Sequence, residues 1–205
     1  MTDNFALLNE PRRPWLDPDS LKNKFLALFA EIHPDRLHNA SAEEKQVANR
    51  CYSELNAAYN CLREPKERLQ HLLELERGAK PEEVERISSG RMDVFFEVGQ
   101  LCRHVDVYLA EKAGVTSPLL KVQLFEKSQE WTDELNSLQR KINARRDELI
   151  SELKTMNRFW ESASNTSAAD RQLSLTRLEE IYRLFGYFNR WSQQIQERIV
   201  QLSFE

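Results

Sequence analysis

Apolar residues recur at helical spacing in two segments near the start of the chain. The first segment has four of them, separated by four, three and four residues: Leu21, Phe25, Leu28 and Ile32. The second has five with the same kind of spacing: Val47, Cys51, Leu55, Ala58 and Leu62. Because residues three and four apart lie on one face of a helix, each set predicts an amphipathic helix.

Capping residues set the limits of these two helices. Asp17 followed by Pro18 is typical of a helix start, so the first helix should begin near Pro18. Ser41 and Glu44 have the spacing of a capping box and mark the start of the second helix. That helix should end at Glu64, since a proline follows. Two such helices joined by a short polar connection predict an antiparallel hairpin.

The connection between these helices contains the tetrapeptide His33-Pro34-Asp35-Arg36. Proline disfavours helix in the residue before it and cannot continue a helix itself, so the first helix should end here in a turn. Such a turn would present an imidazole and a carboxylate together. A simpler interpretation stays open, in which His33 caps the preceding carbonyl groups and Asp35 only forms the turn.

Toward the C-terminus the pattern changes to three longer helices. Glycine, serine and proline residues interrupt residues 79–90, which we interpret as a linker. A helix over residues 91–113 should be stopped by Gly114. The next helix should begin at Pro118.

The last two helices carry long apolar stripes. The first of them has a three-four spacing typical of a coiled-coil seam: Leu124, Ser128, Trp131, Leu135, Leu138, Ile142, Arg145, Leu149, Leu153, Met156 and Trp160. The final helix, which Ser167 and Asp170 should cap, has its own stripe: Leu178, Ile181, Phe185, Phe188, Ser192, Ile195, Ile199 and Leu202. Facing stripes predict a three-helix bundle over residues 91–205. The long seam also leaves self-association open.

Two parts of this sequence resemble the J-domain of DnaJ-like co-chaperones. One is the His33-Pro34-Asp35-Arg36 turn; the other is Leu55-Asn56-Ala57-Ala58-Tyr59 with Leu62, Pro65 and Arg68 after it. The following Leu69-Gln70-His71-Leu72-Leu73-Glu74-Leu75 is similar to the HscB branch, whose members serve iron–sulfur cluster assembly. The resemblance implies an all-α fold with an N-terminal J-domain helical hairpin over residues 1–78 and a C-terminal bundle of long antiparallel helices.

The resemblance further implies that the partner is a DnaK-type ATPase chaperone. Chaperone binding would fall to the turn and to basic residues of the preceding helix: His33, Pro34, Asp35, Arg36, Lys22 and Lys24. These residues would trigger hydrolysis in the partner, so they are not catalytic in this chain.

The helix before the turn departs from the family pattern, because it carries fewer basic residues. Apolar or acidic residues stand at positions that are commonly basic in relatives: Leu26, Ala27 and Glu31. One interpretation is that Leu26 and Phe29 pack against the C-terminal part of the same protein. The other is that they form a more hydrophobic interface with the chaperone.

HscB-like proteins bind an iron–sulfur scaffold client through an apolar patch on the C-terminal bundle, and the resemblance implies such a surface here. By position, two segments look like the family segments that form it, which gives four candidate residues: Phe95, Phe96, Arg183 and Leu184. Gly99 and Arg103 depart from the family pattern. Adjacent residues cannot both face inward along one narrow helix face. At least one of the two phenylalanines should therefore lie on a second contact surface, or else cover the J-domain.

Charge and composition narrow the possible partners of this 205-residue chain. The formal net charge is −4 and the sequence pI is near 5.7, which argues against nucleic acid as a partner. No apolar run approaches the length of a membrane span, and the N-terminus lacks the regions of a secretion signal. We therefore expect a cytoplasmic protein with no membrane partner.

Cysteine usage predicts neither disulfides nor a metal centre. The three cysteines include no Cys-x-x-Cys pair. Cys51 lies in an apolar stripe, so we expect it to be a buried small residue. No glycine-rich phosphate loop or Gly-x-Ser-x-Gly motif is present, and no cofactor is expected.

The sequence thus favours a non-enzymatic J-type co-chaperone that carries a client to its chaperone. The alternative is a helical adaptor or scaffold protein with a degenerate J-domain that does not stimulate a chaperone. An enzyme ranks third, because no converging catalytic set can be identified.

Overall fold

A computed structural model describes residues 2–31, 41–81, 92–115, 117–161 and 167–203. Within these ranges the chain is entirely helical, without strands, which confirms the all-α prediction. The helices in chain order are α1 (Asn4–Leu7), α2 (Pro18–Glu31), α3 (Ala42–Arg63), α4 (Pro65–Arg77), α5 (Met92–Ala113), α6 (Pro118–Glu161) and α7 (Ala168–Ser203).

The chain forms two compact units. The first unit comprises Met1–Glu82 and Ile150–Arg183, and the second comprises Glu83–Leu149 and Leu184–Glu205. The predicted division into residues 1–78, 79–90 and 91–205 stays a prediction, and most of its linker lies outside the described residues. The first unit includes parts of α6 and α7 because the N-terminal residues and α4 pack on them, as described below.

Local capping accounts for the helix limits. Ser41 and Glu44 form the predicted capping box of α3, in which the Ser41 hydroxyl accepts from the Glu44 N–H at 3.2 Å. The Glu44 carboxylate accepts from the Ser41 N–H at 2.8 Å, and these hydrogen bonds lower the pKa of Glu44. Pro65 begins α4, and Gly78 ends it with a φ of 74°, a left-handed conformation that glycine adopts without strain.

Aromatic pairs join α2 to α3 in the predicted antiparallel hairpin. Phe25 stacks on Tyr59 with ring centroids 4.3 Å apart, and Phe29 contacts Tyr52 at 4.6 Å. Nearer the open end, away from the turn, the buried residues of the hairpin are apolar: Leu21, Leu55, Ala58 and Leu62. The hairpin therefore has a core of its own at its open end, and half-buried aromatic rings continue the contact toward the turn.

The predicted α3 stripe is wrong at its first two members. Val47 and Cys51 are both exposed, so the prediction that Cys51 is buried fails. The reason is that Tyr52, the next residue, turns its ring toward Phe29. A ring of that size fills the space between the helices, and the neighbouring thiol is rotated outward.

The short helix α1, which the sequence analysis did not predict, packs in the first unit. Its Phe5 is fully buried and stacks on the imidazole of His71, with ring centroids 5.8 Å apart. The backbone N–H of Asn4 donates to Nε2 of His71 at 3.0 Å. Burial lowers the pKa of His71, in keeping with a neutral ring that accepts a hydrogen bond.

Arg68 joins the N-terminal segment to the end of α3. Its buried guanidinium donates to the backbone carbonyl of Pro14 at 2.9 Å and to that of Leu62 at 2.6 Å. Burial lowers the pKa of Arg68 to about 10, so this side chain is still charged at neutral pH. The planar guanidinium can hold two carbonyl groups from different segments at once.

Asn157 of α6 binds the backbone of Trp15. The Trp15 N–H donates to the Asn157 side-chain carbonyl at 2.9 Å, and the Asn157 amide donates back to the Trp15 carbonyl at 2.7 Å. Lys154, one turn earlier, places its ammonium 5.0 Å from the centre of the Trp15 ring. The C-terminal part of α6 is thereby attached to the N-terminal segment.

Charged contacts attach α4 to the first part of α7. Arg77 pairs with Glu179 at 2.5 Å, and Arg171 pairs with Glu76. The ammonium of Lys66 lies 5.6 Å from the centre of the buried Tyr182 ring. Within the first unit, the J-domain-like helices and the segments of α6 and α7 thus form one packed structure.

The second unit is built from α5 and parts of α6 and α7, with α6 antiparallel to the other two. Its core comes largely from the predicted stripes: Leu135, Leu138, Ile142, Phe185, Phe188 and Ile195. Arg145 was predicted in the α6 stripe but is exposed and paired with Glu148. The phase of the helix instead places Arg146 beside the core, with its guanidinium 5.7 Å from the centre of the Phe185 ring.

Ser128, a polar member of the predicted seam, is buried and forms a hydrogen bond with the buried hydroxyl of Tyr108. The Tyr108 hydroxyl lies 2.8 Å from the Ser128 hydroxyl and also donates to the carbonyl of Leu124. A buried phenol is costly without such partners. The buried Ser128 therefore completes a hydrogen-bonded pair inside the second unit.

We expect replacement of Arg68 by methionine to lower the free energy of unfolding by about 3 kcal/mol, because two buried carbonyl groups lose their donor. Urea unfolding followed by circular dichroism measures this change. The matched control is Arg50→Met on the exposed side of α3, which should change stability by less than about 0.5 kcal/mol. Equal effects of the two substitutions would contradict the role given to Arg68.

The pH dependence of stability should reflect the lowered pKa of His71. Folding favours its neutral ring, so the stabilisation is complete above the unfolded pKa of about 6.5 and is lost as the pH falls through the lower folded pKa. The slope should not exceed about 1.4 kcal/mol per pH unit. Between pH 7.5 and 5, the free energy of unfolding should change less with pH for His71→Gln than for the unmodified protein. The control is His104→Gln at an exposed position of α5, which should leave the pH dependence unchanged.

Candidate functional site

The predicted chaperone-binding turn lies outside the described residues. His33, Pro34, Asp35 and Arg36 fall between Glu31, the last residue of α2, and the helix cap Ser41. The two helices that lead into and out of this segment are described, and the Phe29–Tyr52 contact lies close to it in sequence. The hairpin therefore provides two fixed attachment points for the tetrapeptide.

The two basic residues predicted to support chaperone binding differ in their surroundings. The ammonium of Lys24 lies 2.8 Å from the carboxylate of Glu10 and donates to the carbonyl of Asn9 at 3.1 Å. The Glu10 side chain is only 2% exposed, and its carboxylate is also 3.8 Å from the guanidinium of Arg13. Lys22, by contrast, is exposed. Lys24 thus helps to hold the N-terminal segment on α2, and its side chain is 41% exposed.

Leu26 and Phe29 also differ in their surroundings: one is exposed and the other is half-buried. Phe29 is half-buried and packs on Phe25 and Tyr52 inside the hairpin. Leu26 is 49% exposed on the surface of α2. The interpretation that both residues pack against the C-terminal part is therefore not met for Leu26, which stays an apolar side chain on the hairpin surface.

Phe95 and Phe96, predicted to bind a client, are both on the surface of the second unit. They are 41% and 52% exposed, and their ring centroids lie 6.0 Å apart in an edge-to-face arrangement. Phe95 also contacts Trp191 at 6.2 Å, and Trp191 stacks on Tyr187 at 5.9 Å. We call Phe95, Phe96, Tyr187 and Trp191 the aromatic patch.

The other two predicted client-binding residues are less available. Arg183 donates to the Glu179 carboxylate one turn earlier, at 2.6 Å. Leu184 is only 9% exposed. On α7 the patch continues into Tyr187, which is half-buried, and Trp191, which is only 8% exposed. Both lie outside the predicted apolar stripe of the last helix.

The described residues offer no membrane span and no metal site as a further candidate site. No helix in the described part of the chain is long and apolar enough to cross a membrane. Over the same residues, no three His, Cys, Asp or Glu side chains converge as metal ligands would. All three thiols are free, and burial raises the pKa of Cys61 and of Cys102, which keeps them protonated at neutral pH.

Curated relatives share sequence with part of the chain. A co-chaperone protein HscB homolog of Bordetella pertussis is 42% identical over 72 residues, which are 35% of this chain and 42% of that protein. The HscB homolog of Mannheimia succiniciproducens is 33% identical over 86 residues, 42% of this chain and 50% of that protein. The chain thus aligns with half or less of the length of these relatives. No family model matches it.

Solved structures extend the similarity to the fold of nearly the whole chain. The crystal structure of human co-chaperone protein HscB covers 96% of this chain and 82% of its own, with a TM-score of 0.63 and 18% identity. Chaperone HscB from Vibrio cholerae covers 97% and 99%, with a TM-score of 0.58 and 18% identity. The chain thus shares sequence with HscB homologs over about a third of its length and shares the fold of HscB structures over nearly all of it, which confirms the expected resemblance.

Proposed function

We propose that this protein is a non-enzymatic HscB-type co-chaperone that stimulates the ATPase of a DnaK-type chaperone and delivers a client to it. The observation that carries the proposal is the position of His33-Pro34-Asp35 between two helices that pair as a hairpin. The sequence similarity to HscB homologs supports the same assignment. A cytoplasmic location fits this role.

The chaperone half of the function rests on the turn. Pro34 restricts the backbone, so Asp35 and His33 can be presented with little loss of conformational entropy on binding. The Asp35 carboxylate would pair with a guanidinium of the chaperone, a charge-assisted contact with defined direction. The chain contributes no nucleotide chemistry of its own; it changes the rate at which the partner hydrolyses ATP.

The surface of α2 would add both charged and apolar contacts to this interface. Lys22 is exposed and can contribute charge, while Leu26 contributes exposed apolar area beside it. Lys24 is paired with Glu10. Electrostatic attraction over long range should therefore be weak, and short-range packing should supply more of the affinity.

The client half of the function rests on the second unit. Exposed aromatic side chains in contact with one another are typical of protein-binding surfaces, because they bury large areas at low entropic cost. The proposed client is an iron–sulfur scaffold protein that binds Phe95 and Phe96. Holding the client on the same chain as the J-domain raises its effective concentration at the chaperone.

We expect His33→Gln and Asp35→Asn to abolish stimulation of a cognate DnaK-type ATPase in a steady-state assay. Loss of a charge-assisted contact in a closed interface costs about 2 kcal/mol or more, which is about thirtyfold in affinity. Lys22→Ala should reduce stimulation only a few-fold. Undiminished stimulation by both turn variants would rule out the assigned role of the turn.

The second expected result concerns the client. Phe95→Ala with Phe96→Ala should weaken binding of a purified iron–sulfur scaffold protein by about tenfold or more, since both rings lose their contact area. The matched control is Val107→Ala, another exposed apolar residue of α5 outside the patch. Isothermal titration calorimetry measures both affinities. If Val107→Ala weakened client binding as much as the double substitution, the aromatic patch would not be the client-binding surface.

A helical adaptor that has lost chaperone stimulation is the second candidate. The internal pairing of Lys24 with Glu10 favours it, because that lysine is drawn away from a partner. The ATPase assay separates the two functions directly. An unmodified chain that folds and binds client but leaves ATP turnover unchanged would be the adaptor.

A further inference from the structure

The aromatic patch is bordered by two arginines. The guanidinium of Arg190 lies 4.9 Å from the centre of the Tyr187 ring, and Arg190 is exposed. Arg103 is also exposed and lies seven residues after Phe96, on the same face of α5. Over the described residues, neither guanidinium forms an ion pair with a carboxylate. Arg190 therefore faces solvent beside the half-buried Tyr187 ring, and Arg103 faces solvent two turns after Phe96.

Few negative charges balance these arginines. Residues 184–196 of α7 contain no Asp or Glu, and residues 94–105 of α5 contain only Glu97. Glu97 is already paired with Lys141 of α6. Asp93, exposed in the first turn of α5, lies three residues before Phe96. Asp106, one turn after Arg103, is paired with Arg198 at 2.7 Å. The surface is thus apolar at its centre and positive at its border, apart from Asp93 and the paired Asp106.

Gly99 opens the surface between Phe96 and Arg103. It is exposed within α5, and a Cβ at this position would meet no atom within 4 Å. The Arg103 side chain folds back, with its Nε donating to the Gly99 carbonyl at 3.2 Å. An incoming side chain can therefore reach the helix backbone here, between a phenyl ring and a guanidinium.

We propose that this surface binds a partner whose apolar side chains are flanked by carboxylates, with Arg103 and Arg190 pairing with those carboxylates. Apolar contact supplies the affinity, and the two arginines select for an acidic partner over a basic one. The inference rests on the proposed function, because it defines the chemistry of the client that the aromatic patch receives. It follows from the charges of this chain rather than from the identity of any one client.

Two synthetic helical peptides test the charge preference on the full chain. They share one apolar stripe and differ only in that four glutamates of the first are lysines in the second. Fluorescence anisotropy should give tighter binding of the glutamate peptide by about tenfold at low salt, and a smaller difference at high salt. Equal binding of the two peptides, tighter binding of the lysine peptide, or no binding of either would overturn the proposal.

Four variants locate the effect. Arg103→Glu and Arg190→Glu should each weaken binding of the glutamate peptide about fivefold, and together they should reverse the preference. Asp93→Asn should tighten it, because a repelling charge is removed. Arg140→Glu, an exposed arginine on α6 away from the patch, changes the net charge equally and should have little effect. If Arg140→Glu weakens binding as much as the patch variants, net charge is responsible and the inference fails.

The same variants separate this inference from the proposed function. A scaffold protein that loses binding with Phe95→Ala and Phe96→Ala but not with Arg103→Glu and Arg190→Glu would keep the proposed function and overturn the inference. If binding of the glutamate peptide required both arginines but no scaffold protein bound, the inference would stand and the proposed client would be wrong. Circular dichroism of each exposed-site variant confirms that the helices are intact.

Discussion

The buried guanidinium of Arg68 is the contact on which the first unit depends. It fixes the backbone of the N-terminal segment at Pro14 against the end of α3. The adjacent residue Trp15 is then in place to exchange two hydrogen bonds with Asn157. A single charged side chain thus determines where a segment without regular structure runs, and that segment links the hairpin to α6. The cost of burying the charge is offset because its two acceptors also need a donor.

Helix limits could be predicted from the sequence because capping is local. The starts of α2, α3, α6 and α7 follow from serine, aspartate and proline residues within a few positions of each other. The phase of a stripe is harder to predict, since periodicity alone did not distinguish Cys51 from its neighbour Tyr52. Helix α1 has four residues, too few for periodicity to be visible. The burial of Asn157 depends on a backbone 142 residues away.

In the candidate sites, too, features set by local sequence could be predicted and features set by distant contacts could not. The adjacency of Phe95 and Phe96 in one helix predicted that at least one of them lies outside the helix core, and the structure exposes both. Pairing of Lys24 with Glu10 could not be predicted, because it depends on the turn after α1, where Asn9 adopts a φ of 52°. The residues beside Phe95 in space come from α7, about ninety positions later in the chain, and only the three-dimensional arrangement identifies Trp191 as the contact.

The three thiols differ sharply in accessibility, and this has a practical consequence. Cys51 is exposed on α3, whereas Cys61 is half-buried and Cys102 is buried, each of the latter with a raised pKa. Alkylating reagents attack the thiolate and need access to it, so a maleimide dye should modify Cys51 well before the others. The native chain therefore carries its own attachment point for a fluorescent reporter on the hairpin, with no engineered cysteine.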